Sequence, residues 1–312
     1  MSTTFDRDTA VRRRPTASHD APTPDNDGGA SHHGASAAVA TAALATTAIF
    51  DADVSPDWRA GRGPHGGYLA AMLLRALTET VAEKQRAPRS LTIHYARAPE
   101  PGPVEIHTAI ERAGRSLSTL SARMEQDGKL MALALSAFSV PWHAPEISEL
   151  PLPDVEPAEP RVDGPRPPHP MAPPFARHME FQPRMGTRPF TGADAPMEVG
   201  GWIALSEPRP LDALALAFFS DALFSPPFIR MSAPAVTPTI DLTIHFRASL
   251  APIPDRATDL DEHCFARFSS TVVHEGFFEE DGVIWAADGT VLVHSRQLAI
   301  VMPIAPDGHV RR

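Results

Sequence analysis

PRPLDALALAFFSDALFSPPFIRMSAPAVTPTIDLTIHFRA, residues Pro208–Ala248, decides the fold. Its first part predicts a helix from about Asp212 to Phe224. That helix is apolar on nearly all sides, so it belongs in a core and not on a surface. One carboxylate, Asp221, stands near its end. A carboxylate in such surroundings is costly unless it is paired or hydrogen-bonded, so Asp221 asks for a reason. A turn-rich loop follows, then a strand of near-strict alternation from Thr239 to Phe246.

The same pattern stands earlier in the chain. LTIHFRA at Leu242–Ala248 answers LTIHYARA at Leu91–Ala98, and DGTVLVHSRQLA at Asp288–Ala299 answers DGKLMALALSAF at Asp127–Phe138. In the first copy GPHGGYLAAMLLRAL opens another apolar helix at Pro64, Gly66 and Gly67, running to about Glu83. Strands are predicted at Ser90–Ala98, Val104–Arg112, Ser116–Gln126 and Leu130–Val140. Their counterparts are Thr239–Arg247, His263–His274, Phe277–Trp285 and Val291–Val301. Pro101-Gly102, Asp127-Gly128, Asp281-Gly282 and Asp288-Gly289 mark turns. Each copy places a buried helix before a run of antiparallel strands, which is an α+β pattern. Two such copies on one chain pair as a homodimer of single copies would.

The segments divide as 1–36, 37–140, 141–174, 175–303 and 304–312. The first is rich in Ser, Thr, Asp, Gly and His with almost no large apolar side chain, and is expected to be a disordered tail. The stretch 141–174 holds a dozen prolines and is expected to be a linker without regular structure. The two repeats are 37–140 and 175–303, and 304–312 is a short tail.

Composition narrows the function. The 312 residues carry a net charge of −10, which argues against a nucleic-acid partner. No run of about 18 apolar residues offers a membrane span, and no signal peptide is legible, so a cytoplasmic location is expected. The lone Cys264 excludes an internal disulfide, and no Cys/His spacing suggests a metal site.

The residues resemble the acyl-CoA thioesterase II family, within the thioesterase-like superfamily. The resemblance spans roughly Ala45 to Met302 and is carried by GPHGGYLAAMLLRAL, SDALF around Asp221, PTIDLTIHFR around Thr239 and SRQLA around Gln297. It implies a double hot-dog: two tandem repeats, each a long buried helix wrapped by an antiparallel sheet. It also implies a catalytic trio of Asp221, Thr239 and Gln297 that hydrolyses acyl-CoA without a covalent intermediate. Coenzyme A is then part of the substrate, and no other cofactor is implied. A homo-oligomer of double units is expected.

The residue types suit that chemistry. A thioester has an electrophilic carbonyl and a good leaving group, so a water deprotonated during attack suffices. Asp221 can take the proton. Thr239 and Gln297 both donate and accept hydrogen bonds and can hold the water and the carboxylate. An apolar tunnel should end at the trio. Shifted by the repeat offsets, Ser136 stands where Gln297 does, Pro88 where Thr239 does, and Ala70 near Asp221, so one site per chain is expected. For the oxyanion, Gly66 and Gly67 could expose backbone N–H groups at a helix N-terminus. The start of the second helix is the other supplier. Gly66 and Gly67 could equally serve only close packing. His65 beside them is a substrate-contact candidate or a water-exposed helix start.

Rivals remain. Asp241 shares a strand face with Thr239 on simple alternation and competes as the base. Glu279-Glu280-Asp281 reads as a solvated hairpin end. Arg62, Arg97 and Arg115 could meet coenzyme A phosphates or be scattered surface charges. The alternative function is a double hot-dog that binds acyl-CoA or an acyl carrier without hydrolysing it.

Overall fold

The structure, a computed structural model, describes residues 2–15, 48–61, 63–81, 83, 85–160, 172–248 and 263–304. Its frame is one antiparallel sheet of 13 strands. The first half supplies β1 (Ala48–Val54), β2 (Ala87–Tyr95), β3 (Gly102–Ala113), β4 (Leu117–Gln126) and β5 (Lys129–Ser139). The second supplies β6 (Glu198–Leu205), β7 (Thr239–Phe246), β8 (Cys264–Ser269), β9 (Phe277–Ala286) and β10 (Val291–Ile300).

Spatial order runs β1-β3-β4-β5-β2 and continues β7-β10-β9-β8-β6. The second half is the first read backwards. At the centre β2 pairs with β7, with Leu91 opposite Ile244, Thr92 opposite Thr243 and Ile93 opposite Leu242. The two LTIH motifs thus pair with each other about a local two-fold. That axis passes between Thr92 and Thr243, whose hydroxyls lie 3.2 Å apart. This is the self-complementary contact of a two-fold dimer, built within one chain.

Helix α1 (Gly66–Thr80) is 15 residues long, and its side chains from Tyr68 to Leu74 are almost wholly buried. Helix α2 (Ala213–Phe219) has only 7 residues. The expected long helix in each half therefore holds for the first half alone. The apolar sequence continues past Phe219, but the backbone does not. Ser220 Oγ bonds back to Leu216 O at 2.8 Å, and Asp221 N turns to Phe218 O at 3.3 Å. Asp221 consequently sits in the turn after α2. The two helices touch where side chains are smallest: a Cβ on Gly67 would lie 2.3 Å from Phe218 O.

Two further expectations need correction. Residues 2–15 are not a loose tail. Thr4–Asp8 form a helical turn, and Val11–Arg13 form an edge strand on β1. Thr3 caps that turn, with Thr3 Oγ1 bonded to Asp6 Oδ2 at 2.8 Å and Asp6 N to Thr3 Oγ1 at 3.2 Å. Phe5 is buried against Trp58 and Phe218, and Asp6 reaches Arg209 at 3.0 Å and Arg75 at 3.5 Å. The rest of the expected tail, 16–36, the start of the first repeat, 37–47, and the segment 305–312 lie outside the described residues.

The proline-rich stretch has no helix or strand over 140–160, yet it is no free spacer. Leu150, Leu152, Val155 and Ala158 pack on Trp202, Phe265 and Trp285 of β6, β8 and β9. The indole N–H groups of Trp202 and Trp285 donate to Glu156 O and Leu150 O at 2.9 and 3.2 Å. Among the described residues, no helix is long and apolar enough to cross a membrane.

Candidate active site

Three neighbouring strands, β7, β10 and β9, bring Thr239, Gln297 and Glu280 into one row. Gln297 lies opposite Glu280 in the β9–β10 ladder. Thr239 would miss this row on simple alternation. Between Thr239 and Asp241 the register slips: Thr239 faces Ala299, whereas Asp241 faces Leu298. This bulge at Ile240 turns Thr239 inward and leaves Asp241 on the other face, opposite His94 on its far side. Bulges commonly re-aim side chains beside functional sites. Asp241 is thereby turned away from Thr239, Gln297 and Glu280, correcting its expected place beside Thr239.

The hydrogen bonds form a chain. Thr239 Oγ1 donates to Gln297 Oε1 at 2.7 Å. Gln297 Nε2 donates to Glu280 Oε1 at 2.6 Å and, more loosely, to Asp221 Oδ1 at 3.4 Å. The other oxygen of Asp221 accepts from Gly67 N at 3.0 Å. That N–H belongs to the first turn of α1, where the helix dipole favours negative charge. The site is thus composite: a carboxylate, a hydroxyl and an amide from the second half meet the helix N-terminus of the first.

Of the two roles expected for the glycines, Gly67 fills the one of close packing, against Phe218 O. The Gly67 N–H does not stand open for an oxyanion; it holds the Asp221 carboxylate. The Gly66–Gly67 peptide is gripped at both ends, since Tyr95 Oη donates to Gly66 O at 2.9 Å. A Cβ on Gly66 would lie 2.7 Å from Asp221 Oδ2. Burial pushes the Tyr95 phenol well up from its usual range, with Asp221 adding to the effect.

His65 does not stand in water at the helix start; it is 2 % exposed. As the N-cap of α1 it accepts from Tyr68 N through Nδ1 at 3.2 Å. The proton therefore sits on Nε2, which donates to Asp221 O at 2.7 Å. Nε2 also lies 3.6 Å from Asp221 Oδ2. Burial lowers the tendency of His65 to protonate, more than the nearby Asp221 raises it. Its ring packs on Phe175 at 4.0 Å and on Phe218 at 5.1 Å, closing that side of the site.

Sequence reasoning missed Glu280. It is 4 % exposed and points to Gln297, with its carboxyl pushed up to about 8 by burial and, less strongly, by Asp221. The alternation Phe278, Glu280, Ile284, all buried, was the available signal. Asp221 itself keeps a narrow exposed face, its side chain 15 % accessible. Two surface clefts are lined by Val54, Arg59, Pro64 and Glu100, and by Asp154, Glu156 and Arg184. Neither is lined by the trio, so neither is the tunnel expected there. Of the arginines considered for phosphate contact, Arg62 lies outside the described residues.

Comparison with known proteins gives the family. Residues 54–139 match the model of an acyl-CoA thioesterase N-terminal domain, and 152–301 that of an acyl-CoA thioesterase C-terminal domain. The chain belongs to the acyl-CoA thioesterase family. An uncharacterized protein of Mycobacterium tuberculosis is 24 % identical over 286 residues, covering 81 % of this chain and 91 % of the relative. Among solved structures, a hot-dog protein of unknown function from Alicyclobacillus acidocaldarius superposes with a TM-score of 0.74 at 23 % identity, covering 98 % of this chain and 100 % of that one. A putative thioesterase II from Thermobifida fusca gives 0.69 at 23 % identity, covering 96 % and 97 %. An acyl-CoA thioesterase II of Mycobacterium marinum gives 0.59 at 19 % identity, covering 84 % and 94 %. These likenesses give the thioesterase-family chain its hot-dog fold, with a large antiparallel sheet and few helices.

Proposed function

We propose that this member of the family is a double hot-dog hydrolase that cleaves an acyl-CoA thioester to the free acid and coenzyme A. Asp221 is the general base, and Thr239 and Gln297 position the water. The observation that supports this is the hydrogen-bonded chain Thr239–Gln297–Asp221, closed on the Gly67 N–H from the opposite half. Thr239 spends its proton on Gln297 Oε1, so its lone pairs are left to accept. A water that donates one hydrogen to Thr239 Oγ1 and the other to Asp221 turns a lone pair toward the thioester carbon. As the C–O bond forms, Asp221 takes the proton, and collapse of the tetrahedral species expels the thiolate of coenzyme A. No enzyme-bound acyl group is needed.

Release of free thiol from acyl-CoA esters of graded chain length tests the reading. Asp221→Ala should lose about 10²–10⁴-fold in kcat with an unchanged circular dichroism spectrum. Undiminished turnover in that variant would overturn the assignment. Tight binding of acyl-CoA by the wild type without thiol release would support a binding protein instead.

A further inference from the structure

Glu280 is a buried ionisable group that this chemistry leaves unused. One amide, Gln297 Nε2, links it to Asp221, at 2.6 Å from Glu280 Oε1 and 3.4 Å from Asp221 Oδ1. We propose that Glu280 is a positioning residue of the thioesterase site: it fixes the orientation of the Gln297 amide and carries the one proton of the Asp221–Glu280 pair, leaving Asp221 the charged base. This rests on the hydrolytic reading above.

The orientation follows from donors and acceptors. With Nε2 toward the two carboxyls, Oε1 faces Thr239 and accepts its proton. A flipped amide would turn Nε2 on the Thr239 hydroxyl. One of the hydroxyl's two lone pairs would then be taken by the amide, and its proton, deprived of Oε1, would turn toward the water and compete for the lone pair that attacks. Of the two carboxyls, Glu280 makes the shorter contact and so decides the orientation.

The location of the proton follows from charge. Two ionised carboxylates on one amide repel in a site of low polarity. The charged groups that act on Glu280 are both acidic: Asp221 from the turn after α2, and Asp281 on its own strand. Asp281 is clasped by Arg296 at 2.6 Å, on the exposed side. From β10 Glu280 meets only the neutral Gln297. His65, from the N-cap of α1, stays neutral through burial. Asp221 has the Gly67 N–H, the helix N-terminus and a strip of solvent to support its charge. Glu280 has none of these, and burial holds its carboxyl at about 8.

The test compares kcat and KM of wild type, Glu280→Gln and Glu280→Ala across pH 6 to 9. Glu280→Gln keeps a neutral acceptor for Gln297. It should stay close to wild type at pH 7 and lack the decline expected of wild type above about pH 8. Glu280→Ala frees the amide and should lower kcat about 10–100-fold with KM little changed. Identical profiles in all three overturn the proposal, as does a Gln variant as impaired at pH 7 as the Ala variant. The proton is also followed without turnover, through the carboxyl stretch in the infrared difference between wild type and Glu280→Gln. A Glu280 already charged at pH 7 overturns the proposal even in an active enzyme. A wild type inactive on every thioester overturns the hydrolytic reading and the positioning role with it.

Discussion

The two halves share a backbone and differ in what they place on it. Ser136 faces Leu91 as Gln297 faces Leu242. Pro88 faces Phe138 as Thr239 faces Ala299, and both strands slip register at that point. Leu120 faces Ser136 as Glu280 faces Gln297. Wherever the second half has a polar group of the site, the first has a small or apolar one, and Leu120 is fully buried. The reverse holds on α1, whose glycines and His65 serve the carboxylate of the other half. One junction between the halves is packed as core, and the other gathers polar groups from both.

The sharpest way to break this comparison is to make the halves alike in pairs. Gln297→Ala should cost about 10–100-fold in kcat, because Thr239 and Asp221 lose their common partner. Ser136→Ala, at the matching position, removes one hydrogen bond to Ser90 O and should leave turnover unchanged. Its expected loss of stability is about 1 kcal/mol, read from urea melts. Equal loss of activity in both variants would mean that the first half also works.

The adjacent glycines separate activity from folding. In Gly66→Ala the new methyl meets Asp221 Oδ2, the end of a side chain that can swing away. Activity should fall steeply while the melting temperature moves little. In Gly67→Ala the methyl meets the backbone of Phe218, which cannot swing. Steric overpacking of this kind costs about 1–3 kcal/mol, so the melting temperature should drop. Two variants that behave the same would dissolve the distinction between a glycine that makes room for the carboxylate and one that lets helices touch.

The repeat was legible because LTIH and an Asp-Gly turn recur in the same order, from Leu91 and Asp127 to Leu242 and Asp288, although Asp281-Gly282, also expected as a turn, lies within β9. The trio was legible by resemblance, and its side chains do converge. What could not be read was the bulge at Ile240, since alternation counts residues and a bulge adds one. The end of α2 was misjudged because apolar residues continue to Phe224, while a hydroxyl on Ser220 and a tight turn end the helix first. The N-terminal helical turn was hidden in a polar segment judged as a whole, although Thr3 and Asp6 have the spacing of a capping box. Glu280 was hidden by its acidic neighbours.

Glu280 gives a stability test that needs no substrate. Its carboxyl titrates near 4.5 in an unfolded chain and near 8 in the folded one. Between those values the native state binds the extra proton, so wild type loses stability as pH rises from about 5 to about 8. Glu280→Gln removes that slope. The difference between the two proteins should therefore move in favour of the variant across this window, by on the order of a few kcal/mol. A difference independent of pH would place the proton elsewhere.

The smallest expected effect comes from Tyr95, which stands where the second half has Phe246. Tyr95→Phe thus gives the first half the residue its twin already uses. The ring stays and only the hydroxyl goes, taking with it the 2.9 Å bond to Gly66 O. That oxygen lies within the first turn of α1 and still has a helical partner, so about 1 kcal/mol of stability is at stake. The peptide between Gly66 and Gly67 would lose its grip on one side while Asp221 still pulls on the other. A few-fold fall in kcat with unchanged KM is expected, and it should vanish in the background of Gly66→Ala, where the carboxylate has already left the amide. A full additive loss in that double variant would mean that Tyr95 acts on the substrate directly and not through the helix start.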